Sequence, residues 1–167
     1  MRARHVGLLL AATIAAACTR TPVGRGKAVY VFVSSTCPIS NRALPEVARV
    51  AARFAGRATF TLVYPDDSDA EVAAHARAYG VTLPSTRDPA HKLVAAAHVE
   101  VTPEAALFRD GALLWHGRID DRYSDVAHER PAPTMHDLED AVAALVDGRP
   151  LPPAHAAVGC ALGSPRL

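Results

Sequence analysis

The chain has 167 residues, half of them hydrophobic, with 18 basic and 17 acidic side chains and a formal net charge of +1. That is enough for one modest domain with its own core. The near balance of charge excludes the electrostatic footprint of a nucleic-acid binder or of a receptor for an acidic partner.

Arg2, Arg4 and His5 precede an apolar run over residues 6–17, too short to cross a bilayer and laid out as a secretory signal. Residues 19–26 are polar with Gly and Pro and read as a tether. Residues 29–33 (V-Y-V-F-V) read as a buried strand. Ser34 and Thr36 close it, and Pro38 suits the first turn of a helix, where its missing N–H had no partner. Leu44, Val47, Val50, Ala51 and Phe54 then recur at helical spacing. Residues 58–64 form a second strand. Ser68 caps a helix over 71–79 that Gly80 stops. Residues 83–88 are extended, and Pro89 opens a short helix over 91–97. Residues 105–108 and 112–116 form a hairpin across Asp110-Gly111. A long loop runs from Arg118 past Arg130. Thr134 is expected to cap a last helix, with Asp137 as its acidic partner and Leu138, Val142, Leu145 and Val146 as its buried stripe. Gly148 stops that helix. The folded domain is thus expected over 27–148, and 149–167 reads as a proline-stiffened extended tail.

Cys37 sits where the first strand hands over to the helix. Free N–H groups and the positive end of the helix dipole face its sulfur, a setting that favours thiolate over thiol. Strand, then C-P-I-S, then helix resembles the active-site corner of the thioredoxin-like superfamily, with Ser40 in place of the usual second cysteine and Pro45 where thioredoxins carry a helix proline. The resemblance implies an α/β fold: a central mixed sheet flanked by helices, with the helix after Ser68 as the extra helix of redoxins. It also implies that Thr102-Pro103 is the cis-proline pair facing the cysteine. A closer similarity, over about residues 29–160, is to bacterial redoxins of unassigned role that share C-P-I-S-N, V-T-P-E and a terminal V-G-C. Asp120, Asp121, Arg122 and Tyr123 in G-R-I-D-D-R-Y are either a loop tied by Arg–Asp pairs or a substrate rim.

The resemblance makes Cys37 the nucleophile of a thiol–disulfide oxidoreductase, with Ser40, Pro103 and Cys160 as its catalytic companions. Cys160 is either the resolving partner or a free thiol on the tail. Ser34, Pro38, Thr102 and Arg118 are the residues expected around substrate. That substrate is a protein thiol or disulfide, or a peroxide, with a separate thiol as electron donor and no cofactor. A C-x-x-S site suits rapid dithiol exchange less than C-x-x-C. The peroxide alternative rests on a resemblance to peroxiredoxins, in which a residue like Ser34 binds peroxide and an arginine, here Arg118 or Arg42, faces the thiolate. Those enzymes have proline where this chain has Tyr30. A third reading is a copper carrier like the Sco proteins. Its C-x-x-x-C is broken by Asn41, leaving Cys37, Cys160 and one of His116, His128 or His136 as soft ligands for Cu(I). The apolar leader ends A-A-A-C, which resembles a bacterial lipoprotein processing site with Ala15 in place of the usual leucine. It implies lipid attachment at Cys18 and a membrane partner. Ordinary cleavage near Ala17 is the other outcome, and both place the chain outside the cytoplasm, where disulfides persist.

Overall fold

A computed structural model describes residues 25–165. The expected signal, the lipid site and most of the tether lie outside them.

Five strands make the central sheet in the order β3-β2-β1-β5-β6: β1 (Lys27–Phe32), β2 (Thr59–Tyr64), β3 (Ser85–Arg87), β5 (Glu104–Arg109) and β6 (Ala112–Gly117). β1 runs parallel to β2 and antiparallel to β5, and β2 runs parallel to β3. The mixed sheet matches the expected thioredoxin-like architecture. β1 is central and buried on both faces, so it reads as a continuous apolar run rather than an alternating one. Val29, Val31 and Val33 face a core built with α1 (Pro38–Arg53) and α4 (Asp137–Asp147). Ala28 and Phe32 face a smaller core with α3 (Lys92–Ala97). α2 (Asp69–Tyr79) starts in a capping box between Ser68 and Glu71 and ends at Gly80, which takes the left-handed conformation that glycine adopts without steric cost.

Register decides where the chemistry lies. Phe32 pairs with Glu104 across β1 and β5, so the end of β1 and the start of β5 share one edge of the molecule. The chain leaving β1 reaches Cys37 within five residues. The chain entering β5 has just passed the cis bond Thr102-Pro103. Residues far apart in sequence are thereby brought face to face.

Two expectations need correction. The long loop is not structureless: β7 (Tyr123–Asp125) pairs with β8 (His128–Glu129). Asp125 Oδ1 accepts the N–H groups of Ala127 and His128, an Asx-type turn that closes this hairpin. The segments are too short and polar for any periodicity to announce them. Nor does Thr134 cap the last helix: α4 starts after His136 with no side-chain cap. The Thr134 N–H and hydroxyl both donate to Asp121, and the Leu138 N–H goes to the Ile119 carbonyl. A backbone carbonyl from the preceding segment thus satisfies a helix-end donor.

Candidate active site

Cys37 is the N-cap residue of α1, with φ −86° and ψ 113°, and Pro38 occupies the first turn. The Asn41 N–H closes the first helical bond on the Cys37 carbonyl at 3.0 Å. An N-cap side chain is the one that can accept from the unpaired first-turn N–H groups. The sulfur holds the position that serine or aspartate takes in an ordinary cap, but in this oxidised form it makes no side-chain cap hydrogen bond.

Cys37 and Cys160 form a disulfide with their Cα atoms 6.1 Å apart, within the usual range. The tail reaches Cys37 along a docked route. Leu151 packs on the main core, the His155 carbonyl accepts the Arg118 N–H, and the His155 ring meets Asp137. Then β9 (Cys160–Ala161) pairs antiparallel with β4 (Val101–Thr102). Beyond it, Leu162 packs on the smaller core and the Gly163 N–H donates to Asp66 at 2.8 Å. The tail, read from sequence as extended, belongs to the fold.

Thr102 is directly opposite Cys160 in that pairing, and Cys37 Sγ lies 3.2 Å from the Thr102 carbonyl oxygen. Within the disulfide the sulfur has no proton, so this is a packing contact. After reduction the same carbonyl is an acceptor for the thiol proton, which opposes the helix dipole's pull toward thiolate. Cys37 is only 1% exposed, whereas Cys160 is partly exposed. In this oxidised form Cys37 is closed off from solvent, bonded to the chain's own tail.

Ser40 is fully buried, and its Oγ accepts the Ser34 N–H at 3.3 Å, tying the loop across the cysteine. The Ser34 hydroxyl pairs with that of Thr36. Pro103 and Arg118 line one small pocket with Ile39, Asp120, Tyr123 and Val158. Arg118 is not an unpaired charge aimed at the sulfur. Its Nε donates to Asp137 at 2.9 Å and a terminal nitrogen meets Met135 Sδ. Arg42 is exposed and paired with Glu129. Asp120 takes the Arg122 N–H, and burial raises its pKa against that bond. Asp121 is structural: Thr134 and Met135 bond it. Burial alone would raise its pKa, but those bonds and Arg130 hold it well below the usual carboxylate range. The loop is thus tied down, and Asp120, Arg122 and Tyr123 line the small pocket.

The copper arrangement does not assemble. His116 pairs with Glu104, His128 with Asp125 and His136 with Glu46, and both cysteines are in the disulfide. Glu46, His136 and Glu139 do cluster, but Arg49 pairs with both carboxylates and Arg53 with Glu139. Arginines already supply the positive charge that a cation would bring.

Sequence reasoning missed the scaffold of the cysteine loop. Asn41 Nδ2 donates to the Ser35 carbonyl at 3.3 Å and to the Tyr79 hydroxyl at 3.0 Å. Its Oδ1 lies 2.8 Å from His75 Nε2, and His75 Nδ1 lies 2.9 Å from the Tyr64 hydroxyl. The amide oxygen can only accept, so Nε2 carries the proton and Nδ1 accepts from the tyrosine. Burial lowers the His75 pKa against a weaker raising effect of Asp67. Asp67 in turn accepts from the Ser35 N–H and hydroxyl. The only sequence signal was an asparagine following C-P-I-S.

No protein-family model and no curated protein matches the chain. Solved structures do. An uncharacterized conserved protein from Geobacillus kaustophilus aligns with TM-score 0.68 at 23% identity, covering 85% of this chain and 79% of that one. A hypothetical protein from Sinorhizobium meliloti 1021 aligns with TM-score 0.65 at 25% identity, covering 81% and 78%. A secreted Mycobacterium tuberculosis disulfide oxidoreductase homologous to E. coli DsbE aligns with TM-score 0.51 at 18% identity, covering 74% and 81%. These likenesses are in fold.

Proposed function

We propose that the protein is an exported thiol–disulfide oxidoreductase in which Cys37 is the nucleophile and Cys160 the resolving thiol. The observation that carries this reading is the Cys37–Cys160 disulfide at the mouth of α1, against Thr102-Pro103. In the reduced protein the Cys37 thiolate attacks a substrate disulfide. A bond forms from Cys37 to one substrate sulfur, and the other leaves as thiolate. Cys160 thiolate then attacks Cys37, expels the second substrate sulfur and restores the intramolecular disulfide. Two electrons pass to substrate, and the two protons shed by the cysteines balance those taken up by the product thiols. A donor dithiol regenerates the reduced form: one of its sulfurs forms a mixed disulfide with the protein, its second sulfur releases the remaining cysteine, and the donor leaves as a disulfide. Because Cys160 is the more exposed of the pair, the donor attacks it and Cys37 departs as thiolate, the better leaving group. Asp120 lines the pocket beside Pro103 and has its pKa raised by burial, which makes it a candidate for moving a proton.

The peroxidase reading gains no support, since Ser34 is paired with Thr36 and Arg118 with Asp137. Export rests on the apolar leader of the sequence and agrees with the secreted neighbour. Lipid attachment at Cys18 is part of the same proposal, as is a division into a domain over 27–148 and a tail over 149–167 that docks on it. Labelled palmitate should enter the wild type and not Cys18→Ser.

The test of activity is reduction of a protein disulfide, such as that of insulin, with dithiothreitol as donor. Cys37→Ala abolishes turnover, while reduced Cys160→Ala mixed with insulin after the donor is removed accumulates a mixed disulfide on Cys37. Wild-type turnover by Cys37→Ala would refute the proposal.

A further inference from the structure

We infer that residues 158–162 (V-G-C-A-L) occupy the strand site of a substrate peptide, so that the edge Val101–Thr102 takes an extended peptide with glycine immediately before its reactive cysteine. This rests on the oxidoreductase reading.

β4 and β9 form a sheet of their own, apart from the central one. Thr102 pairs with Cys160 and Val101 with Ala161. The tail therefore presents its cysteine to Cys37 as an added antiparallel strand, a recognised way for a sheet edge to hold a peptide. The edge is filled by this chain in the oxidised form, and a substrate on it must displace the tail after Cys37–Cys160 is reduced.

Gly159 supplies the specificity. Its φ is not in the left-handed range, so its backbone conformation is open to other residues. Space is what excludes them. A Cβ there would fall on the Thr102 carbonyl, 2.6 Å from its carbon and 3.1 Å from the Pro103 nitrogen. Both obstacles are backbone and cannot swing aside like a flexible side chain. Any peptide adopting the tail's path meets the same wall at the residue before its cysteine. On either side of that pair the site favours aliphatic groups: Val158 lines the pocket with Ile39, Pro103 and Tyr123, and Leu162 packs on the smaller core. The substrate pattern is an aliphatic residue, glycine, cysteine, any residue at the exposed position of Ala161 and a second aliphatic residue.

The test uses the full chain carrying Cys160→Ser, reduced, with two peptides, VGCAL and VVCAL. Each peptide is activated at its cysteine as the mixed disulfide with 5-thio-2-nitrobenzoate. Cys37 thiolate attacks the peptide sulfur, the S–S bond breaks, and coloured thionitrobenzoate leaves. The glycine peptide reacts faster by about tenfold or more, because a methyl forced onto a backbone carbonyl must push one strand off the other. Adding Gly159→Val to the Cys160→Ser chain loosens the competing tail and speeds capture of VGCAL. A smaller ratio, or no gain in speed from Gly159→Val, overturns the inference and leaves the oxidoreductase reading standing. Reaction of both peptides no faster than with free cysteine overturns both.

Discussion

The disulfide closes a loop with a sequence separation of 123 residues, and this sets the stability difference between oxidised and reduced protein. Loop-closure entropy removed from the unfolded chain is worth about 5 kcal/mol at that length. The helix N-terminus works in the opposite direction, since it stabilises the Cys37 thiolate in the reduced fold by roughly 0.3–1 kcal/mol, or about 2 when partly buried. Loop closure wins, and the oxidised form is the more stable by about 3–5 kcal/mol. Urea unfolding with and without reductant measures it, as a midpoint shift of about 1.5–2.5 M for a slope near 2 kcal/mol/M. The thermodynamic cycle carries the same free energy into the redox couple. The folded disulfide is then harder to reduce than the same pair in the unfolded chain by roughly 60–110 mV. Equal stability of the two forms, or a more stable reduced form, would refute the reasoning. In the second case the fold would work against its own disulfide, and the protein would act as an oxidant.

Other perturbations read the scaffold. Asp121→Ala strands the Thr134 N–H and hydroxyl and the Met135 N–H, and should cost about 2 kcal/mol, seen as a lower melting temperature; an unchanged melting curve would show that water replaces the carboxylate. His75 has its pKa lowered by burial, so its neutral form contributes stability that is complete above the ordinary imidazole pKa of about 6.5 and is lost as the pH falls. Urea midpoints at about pH 7.5 and pH 5.5 should differ in the wild type and differ less in His75→Gln; equal slopes would remove His75 from the account. Asn41→Leu unties Ser35 and leaves His75 Nε2 without its acceptor. It should lower stability by about 1–3 kcal/mol and slow insulin reduction, and wild-type values for both would disprove its scaffold role.

Local features were legible because their causes are local. The Ser68 cap, Gly80, Gly148, the Asp110-Gly111 turn and the strand–Cys37–Pro38 corner each depend on residues a few positions apart. Thr134 is the instructive failure. Its spacing to Asp137 fits a cap, yet Asp121 takes both its donors, and no local pattern reports a competitor thirteen residues away.

From the amino-acid order alone came an α/β chain with a cysteine at a helix mouth and a second cysteine on a stiff tail. Whether the two meet was left open at that level. Tertiary structure decided it, through the β1–β5 register that brings Thr102 to Cys37 and the β4–β9 pairing that lays Cys160 opposite Thr102. The physical reason is that backbone pairing between distant segments uses N–H and C=O groups that every residue but proline shares. Its partners are chosen by packing across the whole fold, while helix caps and strand runs are chosen by side chains close by in the chain.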